Sequence, residues 1–399
     1  MGSLASFPAR LLARFSRETS SGRFIPEMDG LRFVAIAMVF LFHLNGYLGT
    51  KSKLYYPVPP SDWMAHIALV GFRGVELFFV ISGFILGLPF AAHHLKGRSP
   101  VSLRKYYLRR LTRLEPPYFV AVIALSLLAV WLGHTTAGAL APHFAASLCY
   151  LHNLIYGAQS PAIGVAWSLE IEVQFYLLVP FLTLLFAVRN VVARRTALIG
   201  LITLILVAQS LFLHGTPRAS LSILAYLQFF LVGFLLADTF VIEGHEAPKH
   251  SLSWDAVALL GWPAMFLVLR SPRLAHWIFP ALIFILYSAA FRGVLANRFF
   301  VNRWITTIGG MCYSIYLIHY EVISAVARFT KRITEGLPYW LHLLVQIIPV
   351  GAAVLLVSGV YFVLIERPCM RRDWPQRLWA WLHRPFAPGQ QPVSTEATD

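Results

Sequence analysis

The chain has 399 residues, of which 58% are hydrophobic and 13% charged, with a formal net charge of +15 and a mean hydropathy of +0.65. So little charge cannot solvate so apolar a chain in water, which excludes an ordinary soluble enzyme and points to a polytopic membrane protein. The basic excess calls for no nucleic-acid partner, because retention at the cytoplasmic face and attraction to anionic headgroups account for it.

In chain order, residues 1–29 read as a cytoplasmic segment. Its start, MGSLASFPARLLARFSRETSSGR, mixes apolar and basic positions as an interfacial helix does, and not as a cleaved signal does. MGSLAS also fits a myristoylation pattern, one too short to carry weight. Apolar stretches long enough for a hydrocarbon core of about 30 Å then follow over 30–49, 66–90, 116–133, 168–188, 195–213, 220–240, 252–269, 275–291, 305–327 and 339–366. They lack the period-two alternation of a barrel, so the expectation is an all-α bundle of about ten transmembrane helices. With both termini inside, 23 of the 33 Lys and Arg fall in inner segments and 8 in outer ones, so an N-in, C-in topology follows. The membrane domain is expected over 30–370 and a cytoplasmic tail over 371–399. Three cysteines, Cys149, Cys312 and Cys369, show no CxxC spacing, so neither a disulfide framework nor a metal site is implied.

Ionisable side chains at membrane depth are costly, and they carry the functional signal. Arg32 and His43 are eleven residues apart, so they project from one helix face about 16 Å apart along the axis, with Arg32 at the cytoplasmic mouth. A snorkelling arginine and a histidine bonded to a neighbouring helix would explain the pair equally well. In RGVELFFVISGF, Arg73 and Glu76 are spaced for a local ion pair, and Ser82 and Gly83 stand where another backbone can approach closely. Pro116 and Pro117 fit the first turn of the third span. In AWSLEIEVQFY, Glu170 and Glu172 diverge by about 200° around a helix, so Glu172, the deeper, is the candidate for a buried role while Glu170 suits a cap. YSIYLIHYE sets His319 in a stripe of Tyr313, Tyr316 and Tyr320; the tyrosines read as packing, whereas two intramembrane histidines and a glutamate are equipment for proton transfer. Arg104, Lys105, Arg109, Arg110 and Arg113 cluster before the third span, as topology requires and as a phosphate-bearing ligand would need.

Taken in order, MDGLRFVAIAMVFLFH, GVELFFVISGFIL, RRLTRLEPPY, WSLEIEVQFYLL, YSIYLIH and IERP at Glu366–Pro368 resemble the bacterial acyltransferase family 3, integral-membrane O-acyltransferases that include O-antigen and nodulation-factor O-acetylases. The resemblance spans nearly the whole chain. It implies ten core helices, an acyl-CoA co-substrate entering from the cytoplasm, and an acceptor hydroxyl acylated at or beyond the membrane. It makes Arg32 and His43 the essential pair, with Arg110, Arg113, Glu172, His319 and Glu366 as motif positions. Glu76 stands where many members have Asp, and Glu170 where a small residue is common.

The expected activity is therefore transfer of an acyl group, acetyl by family habit, from cytoplasmic acyl-CoA to a hydroxyl of a glycan, glycolipid or secreted metabolite, in a bacterial inner membrane and with no metal. His43, Arg32, Glu172 and His319 are the catalytic candidates; Arg32, Arg110 and Arg113 are those for donor phosphates. A ternary complex is preferred to a covalent intermediate, because no Ser or Cys nucleophile motif stands out. The rival is an exporter of a glycan or lipid-linked sugar, in which the same polar groups line a pathway.

Overall fold

Backbone amides in hydrocarbon find no water to bond, so each apolar stretch satisfies its own hydrogen bonds as a helix. The computed structural model describes residues 15, 17, 24–51, 62–213, 215–243, 250–371 and 373–383. It is 85% helix, with no strand among the described residues. The all-α class therefore stands. Apart from Phe15 and Arg17, the expected interfacial helix and the MGSLAS pattern lie outside the described residues.

Among the described residues, eight helical stretches are long and apolar enough to cross a bilayer. They comprise α1 (Pro26–Lys51), a run over Trp63–Lys96 ending in α2 (Gly74–Lys96), α3 (Leu103–Trp131), a run over Gly164–Ala187, one over Val191–Phe212, α9 (Leu252–Leu269), α10 (Pro272–Arg292) and a run over Tyr339–Cys369. Between α3 and the next span lie α4 (Ala137–Leu148) and the short α5 (His152–Tyr156); α6 (Trp167–Leu182) and α7 (Val191–Phe212) follow. The other two expected spans are helical but different in kind. One is α8 (Leu227–Ile242), whose 16 residues reach only about 24 Å. It is buried along nearly its whole length, so neighbouring helices, and not lipid, set how long it must be. The other breaks at Met311 into α11 (Arg303–Gly310) and α12 (Cys312–Thr330), whose Tyr313, Ser314, Tyr316, His319, Tyr320, Glu321 and Arg328 make it too polar for an ordinary span.

Close backbone crossings hold the centre. A Cβ on Gly83 would overlap the Phe230 carbonyl oxygen and one on Gly233 the Val80 carbonyl oxygen, so α2 and α8 touch backbone to backbone. Beside the crossing, the Phe230 ring stacks between Phe79 at 4.7 Å and Phe175 at 3.9 Å. A second crossing presses Gly309 of α11 onto the backbone of Asp29 in α1.

The third span departs from expectation. Helix α3 starts at Leu103, with Ser102 Oγ capping it, so Pro116 and Pro117 lie thirteen and fourteen residues inside it and not in its first turn. The basic cluster is thus a continuous part of the spanning helix. A proline at 116 cannot donate to the Thr112 carbonyl. Trp374 Nε1 does so instead, at 2.8 Å, while Tyr361 and Tyr313 hydroxyls donate to the Pro117 and Leu114 carbonyls.

Candidate functional site

The crossing of α11 over α1 places the first charged group. Gly309 allows α11 to lie against Asp29, and Asp29 in turn accepts from Arg32 one turn along α1 and from Arg17 at 3.2 Å. Both guanidinium groups then face a cavity that α3 and α6 complete. Its lining includes Arg17, Arg32, Arg110, Arg113, Glu172 and Glu366 together with Ser82, Ser168, Tyr176, Cys312, Tyr313 and Tyr316. Counting the open solvent at its mouth, it holds about 880 Å³ of atom-free space.

The four arginines differ in how they are satisfied. Arg32 and Arg17 share Asp29. Arg110 and Arg113 have no carboxylate within ion-pair distance among the described residues, and the Nε of each is buried without a partner. Arg110 leans over the Tyr106 and Tyr176 rings, 5.9 and 5.8 Å from their centroids. Elsewhere the arginines at depth are neutralised, as in Arg73 with Glu76 at 2.5 Å and Arg194 with Asp238. Two adjacent cations with no ion pair among the described residues keep donors that an anionic ligand would complete. Of the cavity carboxylates, Glu172 accepts from Ser82 Oγ at 2.6 Å, and Glu366 accepts from the Ser314 amide at 3.1 Å and hydroxyl at 2.5 Å.

His43 and His319 are not on the cavity wall. They meet each other just beyond it, His319 Nε2 lying 3.2 Å from His43 Nδ1. The surrounding carbonyls assign the protons. His319 Nδ1 lies 3.0 Å from the Ile315 oxygen and 2.8 Å from that of Tyr316, which can only accept, so Nδ1 carries the hydrogen and Nε2 the lone pair. His43 Nδ1, also 3.3 Å from the Val39 oxygen, must then donate to His319. The outcome is a polarised chain that leaves His43 Nε2 with a free lone pair, the form a general base requires. His319 is fully buried while His43 is half-buried, its ring edge-on to Tyr320.

Of the sequence candidates, then, Arg32, Arg110, Arg113 and Glu172 converge on one cavity, and His43 and His319 converge on one hydrogen bond. Tyr316 stands between the groups: it lines the cavity, and its ring lies 6.0 Å from that of His319. Glu170 takes neither part. Its Oε2 accepts from the Asn153 amide at 2.8 Å, so it caps the first turn of α5 and not its own helix. Arg17, Asp29, Tyr176 and the bond between Ser168 and Tyr316 were not foreseen. Asp29 had a legible signal in its three-residue spacing to Arg32, but Arg17 lay in a segment read as purely interfacial. Among the described residues there is no group of three or more His, Cys, Asp or Glu placed to hold a metal.

Fold and site together define a polytopic helical membrane protein with a polybasic cleft and, beyond Tyr316 on its wall, a histidine pair. The family described as acyltransferase domain, of the acyltransferase 3 type, matches residues 25–363, and the chain belongs to it. Among curated relatives it is similar to O-acetyltransferase OatA of Staphylococcus aureus strains NCTC 8325 and COL, each 25% identical over 382 residues and 89% of this chain. The chain spans 58% of the length of these relatives. No solved structure matches.

Proposed function

We propose that the protein is a multi-pass O-acyltransferase of the bacterial cytoplasmic membrane that moves an acyl group, acetyl in the first instance, from cytoplasmic acyl-CoA to a hydroxyl of a cell-surface glycan, glycolipid or secreted metabolite. The observation that carries the reading is that Arg110 and Arg113, in the cavity that Arg32 also lines, form no ion pair among the described residues, and that the Nε of each is buried without a partner. An acyl-CoA has phosphates at one end and a thioester at the tip of a long arm, so it needs cations at one place and a base some distance away. The names of the similar Staphylococcus aureus proteins favour acetyl as the group moved.

In this reading Arg32, Arg110 and Arg113 hold donor phosphates as charge-assisted hydrogen-bond donors. His43 Nε2 takes the proton of the acceptor hydroxyl as its oxygen attacks the thioester carbonyl. The C–S bond breaks, CoA leaves as a thiolate, and the imidazolium returns the proton to that sulfur. His319 keeps His43 in the tautomer that can do this, so it is a positioning residue. Glu172 stands on the cavity wall among the cations, where it balances their charge around the donor. His43→Ala in reconstituted membranes should lower acceptor-dependent CoA release by about 10²–10⁴-fold with normal folding. Wild-type rates in that variant would sink the mechanism, and CoA release absent from the wild type would favour the exporter.

A further inference from the structure

Among the described residues that line the arginine cavity, Tyr316 is the one whose ring contacts the histidine pair. This side chain is almost fully buried; one face belongs to the cavity, with Phe78 at 6.3 Å between centroids, and the other approaches His319 at 6.0 Å. Its hydroxyl lies 2.7 Å from Ser168 Oγ and 2.5 Å from the Val165 carbonyl oxygen. The carbonyl can only accept, so Tyr316 donates to Val165 and accepts from Ser168. Both partners sit where α6 begins, Val165 in the single 3₁₀ turn Gly164–Ala166, which has no side-chain cap. The ring is thus latched across the end of the cavity by a helix terminus and not by a helix interior. On the far side, Tyr320 and Glu321, in the next turn of α12, are exposed.

We propose that Tyr316 is a movable partition between the two halves of the site: it closes the arginine cavity against the His43–His319 pair, and a donor's reactive end meets His43 only when the ring leaves Val165 and Ser168. What passes rests on the acyl-CoA reading; where the barrier stands does not. The partition keeps a thioester held by the arginines away from water on the histidine side until the acceptor is in place. Without it, water would add to the thioester carbonyl, the C–S bond would break, and the acyl group would leave as a carboxylate with CoA as the free thiol.

Cys312 lines the cavity and reports on it. With Cys149 and Cys369 replaced by serine, it is the sole thiol in these 399 residues. In right-side-out vesicles, a membrane-impermeant maleimide added outside should leave Cys312 unlabelled, whereas the same reagent should label it in inside-out vesicles. Tyr316→Ala should raise labelling from outside several-fold. Tyr316→Phe, which keeps the ring and removes only the hydroxyl, and Ser168→Ala should each raise it by less, and these mild variants guard against misfolding of the first. Outside labelling that stays at the background level in all three variants overturns the proposal, as does equal labelling of the unsubstituted Tyr316 protein from both faces. Binding of acetyl-CoA to the wild type by equilibrium dialysis is a separate arm: its absence would remove the donor assignment and leave the sidedness result standing.

Discussion

At the scale of single residues, the histidine pair is worth most where its polarity is fixed. His319 donates to two backbone carbonyls of its own helix, so its free nitrogen can only accept, and His43 is turned into the one tautomer that leaves Nε2 bare. His319→Gln keeps an acceptor toward His43, and we expect it to hold kcat within about tenfold of the wild type. His319→Leu removes the acceptor and should cost about 10²–10⁴-fold, like loss of the base itself. Equal losses in the two variants would show that His319 acts by bulk alone. Asp29 supplies a contrasting case, because it positions Arg32 and Arg17 without facing the reaction. Asp29→Asn should raise the KM for acetyl-CoA about tenfold, equivalent to about 1.4 kcal/mol, with kcat within about twofold. A fall in kcat at constant KM would contradict a role in holding the donor. The identities of His43, Arg32, Glu172 and His319 were legible because ionisable groups in a lipid-solvated chain stand out. That the two histidines face each other, 276 positions apart, was not, since no local period encodes a contact between helices.

At the scale of elements, local rules are overridden where other helices supply what the local chain lacks. Pro116 and Pro117 belong to a helix start by propensity, yet α3 continues through them because Trp374, Tyr361 and Tyr313 bring donors to the carbonyls of that stretch. The short helix α8 is likewise possible only because it is wrapped by its neighbours. Its C-terminal end is tied by Glu243, just outside the span, to Arg292 of α10 and Arg195 of α7. Burial alone would raise the Glu243 pKa, but hydrogen bonding and charge from Arg292 and Arg195 outweigh it and hold the carboxyl below its ordinary value of 4.5. A carboxyl depressed on folding contributes stability above its unfolded value and loses it as pH falls through the lower folded one. The detergent-solubilised wild type should therefore melt higher than Glu243→Gln at neutral pH, and the gap should close on acidification below 4.5. A gap that widened in acid would reverse the sign and exclude this tie. Half-exposed as the group is, the effect will be small in salt.

At the scale of the whole molecule, charge asymmetry and the position of the cavity point the same way. Of the arginines that line it, Arg32 lies on α1 and Arg110 and Arg113 on α3, toward the ends the positive-inside rule assigns to the cytoplasm. Acetyl-CoA supplied outside should accordingly support transfer in inside-out vesicles and not in right-side-out ones; equal use in both would remove the cytoplasmic donor route. Composition and hydropathy by themselves determined that this chain is a helical membrane protein, roughly where its spans fall and which polar residues are out of place in lipid, because solvation by lipid acts on each segment separately. Spacing also determined that Arg32 and His43 share a helix face. Only the tertiary structure decided that Arg32 meets Arg17 through Asp29, that Arg110 and Arg113 form no ion pair among the described residues, and that Tyr316 stands between the arginine cavity and the histidines. Those are contacts between distant parts of the chain, and their energies depend on which helices cross and how closely, which is settled by packing and not by any single stretch of sequence.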